Sequence, residues 1–480
     1  MTGLHNSNIK EIKVPFANGS KFYQYFAALT VNLGIVCSEM HYGWPSPYIP
    51  VLRSGNYTFQ ITSEEGSWLT VIPLIGAITG AFVTALIVDR LGRKKLIIFS
   101  SIPFLASWLM VGFAKSSSWM FVGRFLAGAA DGLSFTAVPM YLGEIAEPRI
   151  RGLLASACPV LIVFGILLIN ILGSCLPLDT VAFIGTAIPI FLLLTFSWMP
   201  ESPYFYLMRG NEKEARKSLQ KFRGRSNVEA ELRRMSKAVI EQNETRGSFL
   251  DLLRIRSNRK GLIITLGLRG VQQLTGTTVI IFYCKTIFEE SNGFIAASTA
   301  TIIYFSVQLF LSAVSSFVVD FSGRRPLLII STAGTAVTLL VNGTYLYLKN
   351  CSNIDISGLD FIPLLCLLCF VIIFSSGLQT IPLLVMGEIF PTNVKAFALC
   401  SMDIYYSVMC TLISKYFHWS SETYGMHVPF FTFTVCCSLG LVFIIYCIPE
   451  TKGKTLEDIQ AELGSHDKKI IILNPESFVY

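Results

Sequence analysis

The chain has 480 residues, of which 52% are hydrophobic and 14% are charged, and its formal net charge is +7. This apolar content exceeds what the core of a soluble protein of this length would use, so the composition excludes a soluble globular protein. The excess positive charge lies in segments between apolar runs, which indicates membrane topology and argues against a nucleic-acid partner.

Twelve apolar runs of membrane-spanning length follow one another along the chain. Each has the roughly 17 to 25 residues with few charges that a helix needs to cross a bilayer. The sequence therefore predicts an all-α membrane protein with twelve transmembrane helices. The predicted spans are 22–43, 67–88, 95–113, 119–142, 153–174 and 181–199 in the first half, and 261–288, 296–319, 327–348, 361–386, 396–417 and 428–447 in the second.

The segment between the two sets of spans is strongly basic. Residues 201–260 carry 15 Lys and Arg against 8 Asp and Glu, so the positive-inside rule places this segment and both chain ends in the cytoplasm. Its periodicity over 212–222, 228–240 and 249–253 predicts short amphipathic helices, which form either a solvated linker or a bundle that latches the two halves. The predicted organisation is a tail over 1–21, a six-helix bundle over 22–200, linker helices over 201–260, a second six-helix bundle over 261–448 and a tail over 449–480.

Three charged landmarks recur in the same order in the two halves. Internal duplication of this kind is common in transporters. The first copies are Asp89 to Lys94, Gly143-Glu144-Ile145 and Pro200-Glu201-Ser202, and the second copies, Asp320 to Arg325, Gly387-Glu388-Ile389 and Pro449-Glu450-Thr451, follow at separations of 231, 244 and 249 residues.

These landmarks place charges at the cytoplasmic ends of helices in both halves. We expect partly desolvated ion pairs that exist only while the inner face is closed, so that making and breaking them sets which side is open. The alternative is that the charges only set the topology. The residues concerned are Asp89, Arg93, Glu144, Arg151 and Glu201 in the first half and Asp320, Arg324, Arg325, Glu388, Lys395 and Glu450 in the second.

Ordered motifs along most of the chain indicate a known family. They are Gly123-Arg124-Phe125-Leu126-Ala127-Gly128, Pro139-Met140-Tyr141-Leu142-Gly143-Glu144-Ile145 followed by Arg151-Gly152, Pro200-Glu201-Ser202-Pro203, Gln272-Gln273-Leu274-Thr275-Gly276 and Pro449-Glu450-Thr451-Lys452-Gly453. In these motifs the chain resembles the sugar porter family of the major facilitator superfamily, and Gly43-Trp44-Pro45-Ser46-Pro47 resembles its insect trehalose and sugar transporters. The resemblance implies a major facilitator fold of two pseudo-symmetric six-helix bundles and sugar transport by alternating access.

Gln272 and Gln273 are the leading candidates for contact with substrate. A sugar offers hydroxyls and apolar C–H faces, so its site needs neutral amides and aromatic platforms, and two adjacent glutamines in an apolar helix are costly unless they pair with something. The alternative is helix–helix packing. The resemblance implies that Phe282 and Tyr283 are the aromatic pair that gates the outer side.

Several pocket positions differ from the glucose-type pattern of the family. The resemblance places Pro159 at a sugar-binding glutamine position, and it also places Thr278, Ser375, Leu383 and Tyr406 at substrate-contacting positions where other residues are usual, with Ser407 beside Tyr406. We expect a retained transport machinery with a changed pocket, so a larger or different polyol or a disaccharide is a candidate substrate.

Coupling to protons is left open. The resemblance places the aspartate of proton-coupled members at or beside His41, with Glu39 close by, and ionisable residues within membranes are functional candidates by default. Facilitated diffusion is the preferred prediction and proton symport the alternative. Asp131, Arg124 and Asp403 are interpreted as buried charges with structural partners.

Other functions are weighed against a sugar carrier. No motif for a metal, a cofactor or a catalytic group is present, so we predict that the chain is not an enzyme. A carrier of another polyol or organic ion and a non-transporting sugar sensor remain alternatives. The expected surroundings are the plasma membrane and its lipid bilayer, with a small sugar as partner, and Asn56 and Asn350 begin glycosylation sequons on the predicted outer side. The oligomeric state is left open.

Overall fold

A computed structural model describes residues 21–55, 57–244, 249–291, 293, 295–352, 357–390, 392–450, 459 and 463. Within these ranges the regular secondary structure is helical, and no strand occurs. The predicted all-α fold class is confirmed.

Seven helices form the first half. The first predicted span is present with the predicted bounds, and a short second helix follows it because Pro45 fits the first turn of a helix but not its interior. The helices are α1 (Phe22–Gly43), α2 (Pro45–Arg53), α3 (Ser63–Leu91), α4 (Arg93–Gly112), α5 (Ser117–Ile145), α6 (Pro148–Cys175) and α7 (Leu178–Phe196).

Four short helices lie between the halves, and the three that the sequence predicts are among them. They are α8 (Pro203–Met208), α9 (Glu212–Arg223), α10 (Glu229–Glu244) and α11 (Phe249–Arg254). The contacts of α8, α9 and α10 attach them to one another and to the first half, whereas α11 packs on the second. A bundle that latches both halves therefore stays a prediction.

Eight α-helices form the second half. They are α12 (Arg256–Leu274), α13 (Thr277–Ser291), α14 (Ala297–Ser322), α15 (Arg324–Cys351), α16 (Ile362–Ser376), α17 (Ile381–Ile389), α18 (Thr392–Tyr424) and α19 (His427–Cys447). The prediction that every span is one continuous helix is wrong for two spans. The seventh span is divided into α12 and α13, and the tenth is divided into α16 and α17.

Each break has a local physical cause. Gly276 between α12 and α13 has a φ of 79°, which other residues rarely adopt. Pro382 lacks the backbone N–H that would bond to Leu378 O four residues earlier. At Gly377 the backbone of Leu327 in α15 comes so close that a Cβ would lie 2.6 Å from its carbonyl oxygen.

The membrane-crossing segments match the predicted number. Ten stretches among the described residues are long and apolar enough to cross a bilayer, and one of them joins α16 and α17. α1 and the α12–α13 pair supply the two further predicted spans. The described residues thus contain twelve segments that correspond to the predicted spans, six in each half.

The tightest helix packing is between α3 and α5. Gly76 and Gly80 on α3 face Gly128 and Gly132 on α5, and a Cβ on any of the four would collide with the backbone of the partner helix. Glycines spaced four residues apart let two membrane helices approach closely enough for extensive van der Waals contact.

Candidate functional site

A cavity of about 220 Å³ lies between the two halves. Six of the eight predicted substrate contacts line it. They are Gln272, Gln273, Thr278, Phe282, Leu383 and Tyr406. Pro159 and Ser407, which the sequence placed at altered pocket positions, also line it, and so do Gln308 and Gln379, which the sequence reasoning did not single out.

The two adjacent glutamines have different partners. Gln272 Nε2 donates to Leu378 O at 2.8 Å and to Gln379 O at 3.2 Å, and its Oε1 accepts from Arg269 Nη1 at 2.7 Å. These carbonyls belong to the break between α16 and α17, so Gln272 supplies the donor that the proline there lacks. Its amide group therefore makes the kind of helix–helix contact that the packing alternative describes, although the residue also lines the cavity.

Gln273 is better placed to bind a ligand. Its Oε1 accepts from Thr278 Oγ1 at 2.6 Å and from Cys410 Sγ at 3.2 Å. Its Nε2 donates to none of the described residues, although the side chain is 2% exposed and lines the cavity. An unpaired buried amide donor is costly unless a ligand or water accepts from it.

Two predicted substrate contacts, Ser375 and Tyr283, do not line the cavity. Ser375 contacts a lining residue, because its Oγ donates at 2.6 Å to Oε1 of Gln379, and Gln379 lines the cavity. Tyr283 is 7% exposed and lies beside Phe417, with ring centroids 5.1 Å apart. Both side chains support neighbours of the cavity.

Aromatic residues from both halves lie together at the outer side of the cavity. Phe282 on α13 contacts Tyr42 on α1, with ring centroids 6.0 Å apart. Beside them the backbone N–H of Lys285 donates to Ser46 Oγ at 3.3 Å, which joins α13 to α2. These contacts agree with the predicted outer gating role of Phe282 and Tyr283, which stays a prediction.

A polar cluster at the outer ends of α2, α3 and α18 links the halves further. Lys415 Nζ is 2.7 Å from both Glu64 Oε1 and Ser67 Oγ, and Arg53 Nη2 is 3.3 Å from Glu422 Oε1. His418 Nε2 lies 3.8 Å from Glu64 and 3.6 Å from Glu422. The sequence reasoning missed this cluster, because its residues are not part of any repeated motif.

The inner landmarks act within each half. Glu201 accepts from Lys94 N at 3.0 and 3.1 Å, and Glu450 accepts from Arg324 N and Arg325 N at 3.1 and 3.0 Å. Each carboxylate thus satisfies free N–H groups at the start of a helix, where negative charge is favourable. Burial raises the pKa of Glu201, and the N–H groups of Lys94 and Ser202 partly oppose this rise.

A glycine precedes the helix at both of these sites. Gly92 and Gly323 have φ values of 94° and 87°. At Gly92 an added Cβ would collide with the Glu201 carboxylate. The duplicated motifs therefore form helix caps of the same kind in the two halves.

Arg93 forms the predicted ion pairs of the first half. It lies 3.0 Å from Glu144 Oε1 and 3.2 Å from Asp89 Oδ1 while its own side chain is 4% exposed. All three residues are in one half, and the described hydrogen bonds and ion pairs between the halves lie at the opposite ends of the helices. Lys395 is half-buried, and the side chains of Arg151, Asp320 and Glu388 lie outside the described residues. The switching role of the landmarks stays a prediction.

Four charged side chains line the cavity. They are Glu39 and Asp131 from the first half and Arg269 and Asp403 from the second. Asp131 and Asp403 were interpreted as buried charges with structural partners. Asp131 accepts from Ser38 Oγ at 2.5 Å, and both residues also line the cavity. Arg269 precedes the glutamine pair by one helical turn. The sequence reasoning missed it because it belongs to no motif.

His41 lies apart from the cavity. Its ring stacks on Trp108 with centroids 3.9 Å apart, and neither ring nitrogen has a hydrogen-bond partner among the described residues. Its carbonyl accepts from Arg124 Nη1 at 2.5 Å. Of the two predicted proton-coupling residues, Glu39 alone faces the cavity. Of the two predicted glycosylation sites, Asn350 is exposed near the end of α15 and Asn56 lies outside the described residues.

Comparison with known structures gives the class of protein that this arrangement defines. The xylose transporter XylE from E. coli in a partially occluded inward-open conformation has a TM-score of 0.74 and 22% identity, over 91% of this chain and 100% of that one. The proton:xylose symporter XylE bound to 6-bromo-6-deoxy-D-glucose has a TM-score of 0.73 and 22% identity, over 92% and 99%. The fold is that of the major facilitator superfamily.

Sequence comparison gives the family. The model of the sugar (and other) transporter family matches residues 34–463, and the chain belongs to this family. It is 34% identical to a facilitated trehalose transporter of Bombyx mori over 93% of this chain and 88% of the relative. It is 35% identical to one of Polypedilum vanderplanki over 94% and 90%. A third, from Anopheles gambiae, is 36% identical over 92% of this chain, which spans only 56% of that relative.

Proposed function

We propose that this chain carries a sugar, trehalose or a hexose, across the plasma membrane by facilitated diffusion, with both termini in the cytoplasm. The relatives named above are facilitated trehalose transporters. The supporting observation from the structure is a cavity at the interface of two six-helix halves, lined by amides and aromatic rings from both.

The contacts between the halves support alternating access. Described hydrogen bonds and ion pairs that join the two halves lie at the outer side, where Arg53, Glu64 and Ser46 of the first half meet residues of α13 and α18. These pairs must separate when the cavity opens outward. Rigid halves that exchange one set of end contacts for another expose a central site to each side in turn.

The lining chemistry suits a polyhydroxylated ligand. Gln273 and Gln308 both line the cavity, and Gln308 Oε1 is a buried acceptor without a partner among the described residues. Phe282 and Tyr406 add aromatic faces against which the C–H face of a sugar ring can pack. Paired donors and acceptors beside aromatic platforms are what recognition of hydroxyls requires.

Proton-coupled sugar symport is the second candidate, because the Glu39 carboxylate faces the cavity without a hydrogen-bond or ion-pair partner among the described residues. An ionisable group beside a transported ligand can bind and release a proton during the cycle. Symport and facilitated diffusion differ in whether uptake rises at acidic external pH and whether sugar accumulates against its gradient.

Uptake of labelled trehalose, glucose and fructose in oocytes tests the proposal, with surface amounts measured in parallel. Gln273→Ala should raise KM about fivefold at an unchanged surface amount, because a neutral hydrogen bond contributes about 1 kcal/mol and a tenfold change corresponds to about 1.4 kcal/mol. Gln272→Ala should lower the surface amount or the maximal rate, because two carbonyls in the tenth span lose their donor. Gln220→Ala in α9 is the matched control.

The outcomes separate the candidate functions. Uptake of one of these sugars that is independent of pH and impaired by Gln273→Ala establishes a facilitative sugar carrier. Acid-stimulated accumulation that is lost in Glu39→Gln would establish a symporter. A chain that reaches the surface and moves none of the sugars would refute sugar transport.

A further inference from the structure

The first half contributes two carboxylates to the cavity. Glu39 is 8% exposed and Asp131 is 7% exposed, and the two lie within electrostatic range of each other. Asp131 accepts a hydrogen bond from Ser38 Oγ at 2.5 Å, whereas the Glu39 carboxylate has no hydrogen-bond or ion-pair partner among the described residues. Two buried carboxylates side by side repel each other and have lost hydration.

The second half adds a third carboxylate and one cation. Asp403 lies within electrostatic range of both Asp131 and Arg269. Arg269 is partly occupied, because it donates to Gln272 and its guanidinium lies 4.9 Å from the centre of the Tyr406 ring. One guanidinium therefore balances at most one of the three cavity carboxylates when all are ionised.

Arg124, a buried cation of the first half, does not offset this excess. Arg124 is fully buried, but its Nη1 and Nε donate to the carbonyls of His41 and Leu69, and its guanidinium lies 4.8 Å from the centre of the Trp44 ring. It does not line the cavity. The phenols of Tyr42 and Tyr406, which do line it, bring no positive charge.

An unpaired neutral side chain gives an independent indication of a ligand. Gln308 is 4% exposed, lines the cavity on the second-half side, and its Oε1 is a buried acceptor without a partner among the described residues. With the three carboxylates, Gln308 Oε1 adds a further acceptor to the lining of the cavity. A neutral sugar hydroxyl both donates and accepts, whereas an ammonium group has three donors and no acceptor.

We propose that the cavity selects a sugar that bears a protonated amine over its neutral counterpart, with the ammonium group bound by Asp131 and Glu39. This inference rests on the proposed function, since it names the class of sugar that the same site prefers. The ammonium supplies the positive charge that the carboxylates lack, and charge-assisted hydrogen bonds are about twice as strong as neutral ones. The sugar ring occupies the amide and aromatic side of the cavity near Gln273 and Phe282.

Uptake of labelled glucosamine, glucose and N-acetylglucosamine tests this inference. N-acetylglucosamine is the matched ligand, because acetylation keeps the ring and the nitrogen but removes the charge. We expect glucosamine to be taken up with a KM about tenfold lower than that of either neutral sugar, the difference that one charge-assisted contact provides.

Substitution of the carboxylates identifies the source of this preference. Asp131→Asn retains the acceptor for Ser38, and Glu39→Gln is nearly isosteric. Each should reduce the preference for glucosamine over glucose about tenfold, measured as the ratio of the two KM values at an equal surface amount. The control Glu290→Gln removes one charge from an exposed position on the outer side, so it reports any effect of surface charge on the local concentration of a cation.

The failure of this inference is distinguishable from the failure of the proposed function. Equal uptake of glucosamine and glucose, or a preference unchanged by both carboxylate substitutions, overturns the inference and leaves a sugar carrier. Acid-stimulated glucose uptake without any preference for glucosamine also overturns it, because the carboxylates then bind protons. Absence of uptake of all three sugars by a chain at the surface refutes sugar transport itself.

Discussion

The close packing of α3 on α5 gives the sharpest prediction about stability. In Gly128→Ala the new Cβ would lie 2.6 Å from Pro73 Cα and closer still to Pro73 O, whereas ordinary contacts lie at 3.4–4 Å. Because the obstacle is backbone, it cannot rotate away, and the two helices must separate by about 1 Å. Overpacking of this kind costs about 3 kcal/mol, and the better helix propensity of alanine returns about 1 kcal/mol.

The expected net loss in Gly128→Ala is therefore about 2 kcal/mol, which corresponds to a fall in Tm of roughly 4 to 8 °C for a unit of the size of the first half. The measurement is thermal unfolding of the purified protein, as a fluorescent fusion in detergent. Size-exclusion chromatography monitors the unfolding. Separation of α3 from α5 also weakens the contacts of Gly76, Gly80 and Gly132, which are built on the same approach.

The same helix provides a control. Gly143 on α5 is exposed, and a Cβ there would meet no heavy atom within 4 Å. Gly143→Ala should leave Tm unchanged or raise it slightly, since only the propensity gain of about 1 kcal/mol applies. If Gly128→Ala unfolds at the same temperature as Gly143→Ala, the close backbone approach is not what stabilises this helix pair.

Three further predictions concern the linker and the outer cluster. Arg223 is 2% exposed and bonds to Glu231 at 2.8 Å, so Arg223→Ala should cost about 3–5 kcal/mol and lower Tm by several degrees. Arg216→Ala, which removes a pair exposed at 43% on both sides, should change Tm little. Burial raises the pKa of Glu231, but the hydrogen bonds and positive charge of Arg223 and Arg225 outweigh burial and lower this pKa. The stabilisation from the ionised Glu231 is thus present above the unfolded pKa of about 4.3 and is lost as pH falls through the lower folded pKa. In Glu231→Gln, the Tm should therefore fall less steeply with decreasing pH in this range. Lys415→Ala should speed hydrogen exchange at the outer ends of α2 and α3 severalfold, while Lys217→Ala in the linker, which breaks a 2.7 Å pair within α9, should not.

The charged landmarks show how far sequence reasoning reached. Their recurrence predicted two related halves, and the structure gives Glu201 and Glu450 the same task at the start of corresponding helices. The motifs predicted ion pairing but not its partners, because a carboxylate binds backbone N–H groups as readily as a side-chain cation. Which donor lies within reach depends on how the chain returns to the helix start more than a hundred residues away.

Only part of the substrate site was predicted, because the partners of its residues also lie far away in the chain. The family motif located Gln272 and Gln273, yet only the fold shows that the first bonds to the interrupted tenth span and that the second bonds to Thr278 and Cys410 beside the cavity. Adjacent residues on a helix point about 100° apart, so sequence proximity could not assign them one role.

Composition and apolar periodicity by themselves identified a membrane protein and its helical spans, and they predict the side of the membrane on which its basic segment lies. These features depend on the bilayer, which acts on each segment separately through length, hydropathy and charge. Tertiary structure alone decided that Glu39, Asp131, Arg269 and Asp403 share one cavity and that Arg53 and Glu64 of the first half pair with Glu422 and Lys415 of the second. Such sites combine single residues from helices far apart in the chain, and no local pattern marks a residue whose partner is set only by the packing of two halves.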